Sequence, residues 1–167
     1  MQVPIRKSEQ HNKRTKLDPY MTEEKFVELK NKLARLKNFR RPQEAAEVKR
    51  LAEMGDFSEN TGYQLAKGRL RGINQRIIEL EEHLNRAEII KPTKNTETVA
   101  LGSRVTVKNA SREKTYLVLG SAETDPAAGI ISHNSPLGAA LIGRHTGDKI
   151  KIQLADKETE FEIIKIE

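Results

Sequence analysis

Asp56 and Glu59 stand three positions apart in Leu51-Ala52-Glu53-Met54-Gly55-Asp56-Phe57-Ser58-Glu59-Asn60. Two carboxylates at that spacing admit two roles. If both project outward, they are hard-oxygen ligands. Mg2+ keeps several waters and is usually bound by one or two carboxylates plus substrate phosphates. Such a pair, exposed and alone, holds the ion weakly. It becomes useful where another protein already supplies a metal and a phosphodiester. The competing role needs no chemistry. Asp56 as N-cap with Glu59 at the third helical position is capping-box spacing, and Gly55 is the expected left-handed stop of a preceding helix. Ser58 is a second N-cap candidate, which would leave Asp56 free. Spacing alone leaves both roles open.

The elements around the pair are read from their periods. From Tyr63 the apolar positions step through Ala66, Leu70, Ile73, Ile77, Leu80, Leu84 and Ala87. That alternation of three and four is a coiled-coil seam. A first arm places Phe26, Leu29, Leu33 and Leu36 at the same spacing, then Ala45, Val48 and Leu51 or Ala52. The chain should therefore fold into a long helical hairpin with the acidic pair at its tip, each arm roughly 40–50 Å long. Pairing the arms about the turn sets Ala45 near Leu70, Leu36 near Leu80 and Leu33 near Leu84. Thr22 is the expected N-cap of the first arm, but Lys25 denies it a full capping box. Pro42 should kink or break that arm. Gly62, Gly68 and Gly72 weaken the second arm near the tip.

Lys91-Pro92-Thr93-Lys94-Asn95 ends the helix and opens a linker, residues 91–97. Beyond it the period changes to two. Strands are expected at 103–107, 115–119, 149–154 and 159–164, with Asp156-Lys157-Glu158 as the last hairpin turn. Ser135 as N-cap, Pro136 at the first helical position and Gly143 as the stop predict one short helix. The fold class is thus α+β: residues 21–90 form a helical hairpin, and residues 98–167 a small antiparallel sheet with one short helix. Residues 1–20 are polar and aperiodic and read as a flexible basic tail.

Composition narrows the function. The 167-residue chain carries a net charge of +6, no Cys and no Trp. That excludes a disulfide framework, a thiolate metal site and a thiol nucleophile. No apolar run is long enough to span a bilayer, and no signal peptide is evident. A soluble cytoplasmic protein with no membrane partner and no small-molecule substrate is expected. His11, His83, His133 and His145 have no metal-ligand spacing, and no P-loop or dinucleotide fingerprint is present. Lys49, Arg50, Lys67, Arg69 and Arg71 cluster near the tip and are candidates to contact nucleic-acid phosphates. The same residues suit the solvated outer face of a coiled coil equally well.

Three stretches resemble the bacterial Gre transcript-cleavage factors of the GreA/GreB type. Gly55-Asp56-Phe57-Ser58-Glu59-Asn60-Thr61-Gly62-Tyr63 looks like the family's G-D-x-x-E-N-x-x-Y tip. Arg41-Pro42 matches its Arg-Pro. The run from Ile131 to Gly143, with Ser135-Pro136-Leu137, looks like its C-terminal S-P segment. In this order and at these separations they are a specific signal. The resemblance implies an FKBP-like C-terminal domain that docks on RNA polymerase, for which Ser135, Pro136 and Leu137 are candidates. It implies that the hairpin enters the polymerase secondary channel. There Asp56 and Glu59 would hold a catalytic Mg2+ jointly with polymerase and stimulate cleavage of backtracked nascent RNA. The protein would then be no enzyme on its own. Many family tips carry a further acidic residue where this chain has Gly62. Two alternatives stand beside this one: a channel-binding inhibitor, and a nucleic-acid-binding or scaffolding coiled coil whose acidic pair only caps.

Overall fold

The computed structural model describes residues 18–55, 61–91, 97–110, 112–154 and 157–167. The first arm is helical throughout. Helix α1 spans Glu23–Arg35, a π-helical turn spans Leu36–Arg40, and helix α2 spans Arg41–Glu53. Thr22 caps α1, accepting the Lys25 N–H at 3.2 Å. The break expected at Pro42 falls just ahead of it as the π turn, where the Arg41 N–H reaches the Leu36 carbonyl. Pro42 then sits in the first turn of α2. The wider turn relieves the clash its ring would make with the carbonyl four residues back. The return arm is one helix, α3, Thr61–Asn85.

The arms meet along the expected seam. Met21, Leu29 and Leu80 are buried together, with Phe26, Leu33, Leu36, Leu84 and Ala87 packed against them. Toward the tip the seam thins. No residue of α2 is buried, Ala45 is exposed, and Ala66 is the one fully covered seam residue opposite. Polar pairs span this half instead: Arg41 donates to Asn74 at 2.9 Å and Arg69 to Glu44 at 2.9 Å. At such exposed sites each pair contributes on the order of 0.2–1 kcal/mol. Small side chains cannot bury enough surface to do more.

Gly68 and Gly72 lie inside α3 with open space where a side chain would stand. Gly68→Ala and Gly72→Ala should therefore each stabilise the stalk by up to about 1 kcal/mol. Thermal melting followed at 222 nm reads this directly. An unchanged or lowered midpoint for both would mean that the helix is not formed there in solution.

Helix α3 ends earlier than its apolar pattern suggests. Its last turns close at Arg86 and Ala87, and Glu88–Ile89 forms strand β2, parallel to β1 at Tyr20–Met21. Asp18, Pro19 and Tyr20 are thus not tail. They are built into the base of the hairpin, where the Pro19 carbonyl accepts from Glu88 at 2.8 Å and that of Met21 from Ile90 at 2.8 Å. Two-residue strands carry no readable period, which is why the sequence hides them.

The C-terminal unit is a five-stranded sheet, ordered β5-β4-β3-β7-β6. Its strands are β3 Arg104–Asn109, β4 Arg112–Leu119, β5 Ile130–Ser132, β6 Lys149–Leu154 and β7 Lys157–Ile166. Val105 and Val107 are buried between exposed Arg104 and Lys108, the alternation of a half-buried strand. Val118, Leu141, Ile150 and Ile163 complete the centre of the core. Four strands pair antiparallel as expected, but β5 runs parallel to β4. The chain between them passes through a 3-10 turn, Ser121–Glu123, and returns to the same end of the sheet. Lys157 and Glu158 are strand rather than turn, paired with Leu154 and Gln153. The expected short helix, α4, spans Pro136–Leu141.

Candidate functional site

The two arms bracket the acidic pair. Helix α2 stops at Glu53 with Met54 as C-cap, and Gly55 follows at φ 79°, its N–H on the Ala52 carbonyl at 3.3 Å. A left-handed residue there suits glycine and turns the chain out of the helix. Helix α3 begins at Thr61. Asp56 and Glu59 fall between these ends and lie outside the described residues. Their donor chemistry still bears on the ion. Two carboxylates suit Mg2+ and leave most of its coordination to water, phosphate or another protein. Among the described residues no cluster of three or more His, Asp or Glu side chains could hold a metal. A surface cleft of about 780 Å³ beside the π turn, lined by Asn31, Arg35, Phe39 and Pro42 among others, contains no carboxylate.

The basic candidates behind the tip are mostly engaged. Arg50 donates to both oxygens of Glu47, at 2.9 and 2.8 Å, and its Nη1 lies 3.7 Å from Met54 Sδ. The Arg50 hydrogen bond holds the Glu47 carboxyl below its ordinary value, and Glu47 raises Arg50 in turn. Arg69 bridges to Glu44, and Lys49 lies 3.9 Å from Glu53. Lys67 sits over the Tyr63 ring at 5.8 Å, within cation–π range. Arg71 is exposed and has no partner among the described residues. The cations of these pairs are all solvent-exposed, so exchanging their partners for phosphate costs little.

The docking candidates hold the start of α4. The Ser135 hydroxyl accepts the Gly138 N–H at 3.1 Å and donates to the Ser132 carbonyl at 2.6 Å. Pro136 is exposed at the first helical position, and Leu137 packs partly against the sheet core. Of the three, Pro136 presents the most surface.

Sequence reasoning missed the junction between stalk and sheet. Asp18 accepts the Ser121 N–H at 2.9 Å, the Ser121 hydroxyl, the Tyr20 N–H at 3.2 Å and the Asn134 amide at 3.3 Å. Partial burial would raise its carboxyl, but the two bonds from Ser121, the nearby His133 and the Tyr20 N–H together hold it below the ordinary value. His83 is buried, as a structural histidine should be, with Nε2 3.2 Å from the Asp18 carbonyl. Tyr20 meets His133 edge to face at 5.5 Å. Glu123 accepts the Thr22 N–H at 2.7 Å and the Thr22 hydroxyl. The incomplete capping box at Thr22 was the available signal. With Lys25 in the acidic position, the Thr22 N–H had to find its acceptor elsewhere.

Among the described residues no helix is long and apolar enough to cross a membrane. Comparison with known proteins adds a family. Residues 19–89 match the family model for the transcription elongation factor N-terminal domain. Residues 94–167 match that for the transcription elongation factor GreA/GreB C-terminal domain. Transcription elongation factor GreA of Bacillus cereus is 38% identical over 149 residues, covering 87% of this chain and 94% of the relative. GreA of Helicobacter pylori is 38% identical over 137 residues, covering 80% and 84%. The solved structure of GreA factor homolog 1 (Gfh1) of Thermus thermophilus is 27% identical, covering 88% of this chain and 97% of that one, with a TM-score of 0.40. With family models covering both the hairpin and the sheet, and relatives matched nearly end to end, the chain belongs to the GreA/GreB transcription elongation factor family.

Proposed function

We propose that this protein binds RNA polymerase through its sheet domain, passes its hairpin into the polymerase secondary channel and stimulates endonucleolytic cleavage of backtracked nascent RNA. One observation carries this reading within the family. The sequence carries its Asp-x-x-Glu pair in the connection between the two arms of a long hairpin, at the end opposite the base where β1 pairs with β2. A carboxylate pair carried on such a connection is suited to serve a site on another molecule.

The division of labour follows. Asp56 and Glu59 supply oxygen ligands for a Mg2+ shared with polymerase. When bound, that ion stabilises the charged oxygens of phosphodiester hydrolysis. Arg71 and Lys67, with Lys49, Arg50 and Arg69 released from their exposed pairs, offer phosphate contacts to the extruded RNA. The reaction centre belongs to polymerase, and the protein completes it in trans in the cytoplasm. The sheet domain serves as a docking module around Pro136. It has only Tyr116 and Phe161 to line a proline pocket, and both pack against its own core.

A stalled elongation complex with labelled RNA and the purified protein tests the reading. Shortened RNA that can then be extended is the expected result. Blocked extension without cleavage would favour a channel-binding inhibitor, and no effect would favour a scaffold whose acidic pair caps a helix.

A further inference from the structure

We propose that Glu123, in the 3-10 turn of the sheet domain, is a positioning residue for stimulated cleavage: its carboxylate fixes the angle at which the stalk leaves the sheet domain. The proposal rests on the function above for its consequence and on the junction for its geometry.

Glu123 completes the N-terminal cap of α1 from 101 residues away, in the place of the Glu that this chain lacks at position 25. Its two oxygens take two donors of one residue, the N–H and the hydroxyl of Thr22. Two bonds to one residue restrain direction as well as distance. The carboxylate also faces the positive end of the α1 dipole, which favours it there. Thr22 is itself fixed to the stalk, because its oxygen caps Lys25 and its carbonyl accepts the Phe26 N–H at 3.0 Å.

The strap before Thr22 is held from both sides. On the stalk side, Tyr20–Met21 pairs with Glu88–Ile89, and Met21 is wholly buried. On the sheet side, Asp18 receives Ser121 and Asn134. Gly120 passes so near that a side-chain carbon on it would lie 1.8 Å from the Tyr20 carbonyl oxygen. Apolar and backbone contacts thus fasten the strap to the stalk. Its side-chain hydrogen bonds to the sheet domain come from two carboxylates, Asp18 and Glu123, beside the Tyr20–His133 ring contact.

Lever arithmetic makes this matter. Helical residues Glu23–Glu53 give a stalk of roughly 45 Å, so a 10° change at its base moves the tip by about 8 Å. A displacement near 1 Å already costs about a hundredfold when reacting groups must be aligned. A stalk that swivels would bind polymerase and miss the reacting phosphate.

The test uses the full chain with Glu123→Gln and Glu123→Ala. Because the protein has no Cys, spin labels at Ala46→Cys and Lys108→Cys report the stalk-to-sheet distance cleanly in the free protein. The distribution should be narrow in the parent, at least twice as wide in Glu123→Ala, and intermediate in Glu123→Gln, which keeps one acceptor. In the cleavage assay the maximal rate should fall fivefold or more for Glu123→Ala, while the concentration for half-maximal effect stays within twofold. A merely structural role would not split these two constants. Unchanged widths, or an unchanged maximal rate in a widened variant, overturn the proposal. If Glu123→Ala fails to fold, Glu123→Gln decides the matter by the same criteria. A parent protein that stimulates no cleavage overturns the functional reading and the positioning role with it, while the widths still show whether Glu123 holds the stalk.

Discussion

Asp56→Asn and Glu59→Gln should leave the fold and polymerase binding intact and lose most of the stimulated cleavage, by about tenfold or more, or at least roughly 1.4 kcal/mol of transition-state stabilisation. The prediction is sharp because the two roles open to Asp56 part company under this change. Asn is as good an N-cap as Asp, so a capping role predicts a loss of at most a few tenths of a kcal/mol, roughly what near-equal cap preferences allow. A hard divalent ion prefers the charged oxygen that the amide lacks. The thermal midpoint and the affinity for polymerase serve as controls, and both should match the parent. Cleavage of backtracked RNA is the readout. Equal cleavage would assign the acidic pair to capping alone.

Gly138→Ala should destabilise the sheet domain although it places a better helix former inside α4. Alanine gains up to about 1 kcal/mol of helix propensity over glycine. At Gly138, however, a side-chain carbon would lie 2.1 Å from the Ser132 carbonyl oxygen and 2.9 Å from the His133 Cα. Those are backbone atoms of β5 and the turn after it, and they cannot swing aside. Overpacking of this kind costs about 1–3 kcal/mol, so after the helix gain we expect a net loss of up to about 2 kcal/mol by urea denaturation. The same substitution at Gly68 and Gly72 has the opposite sign, because those positions face open space. A stabilised Gly138→Ala would mean that α4 does not press on β5 as described. The Ser135–Leu137 segment would then be free of the sheet.

The hairpin was legible because its signal is periodic. Leu29, Leu33, Leu36, Leu80 and Leu84 recur at coiled-coil spacing, and they are the residues that pack at the base. The β strands were legible for the same reason, Val105 and Val107 facing the core with charged neighbours outside. Caps were legible where local chemistry suffices: Thr22, Ser135, Gly55 and Gly143 all fall at helix ends. What escaped has no period or depends on distant partners. The π turn is a response to Pro42, and the sequence places the disturbance without naming its form. Strands β1 and β2 are two residues each. The parallel pairing of β5 depends on how a ten-residue connection returns. Asp18 and Glu123 acquire their roles only when residues about a hundred positions apart meet. The acidic pair shows the converse. Its position at the turn is plain in the sequence, while its choice between cap and ligand is a matter of chemistry with a partner.

A Mg2+ titration of cleavage in a defined backtracked complex tests the central claim most directly, namely that the tip supplies ligands to a metal shared with polymerase. With saturating parent protein, half-maximal cleavage should require less Mg2+ than with polymerase alone. With Asp56→Asn or Glu59→Gln the midpoint should move back to higher Mg2+, and raising the ion should restore part of the rate. If Asp56→Asn cleaves as well as the parent at low Mg2+, with an unshifted midpoint, the tip carries no metal ligand and the mechanism is wrong.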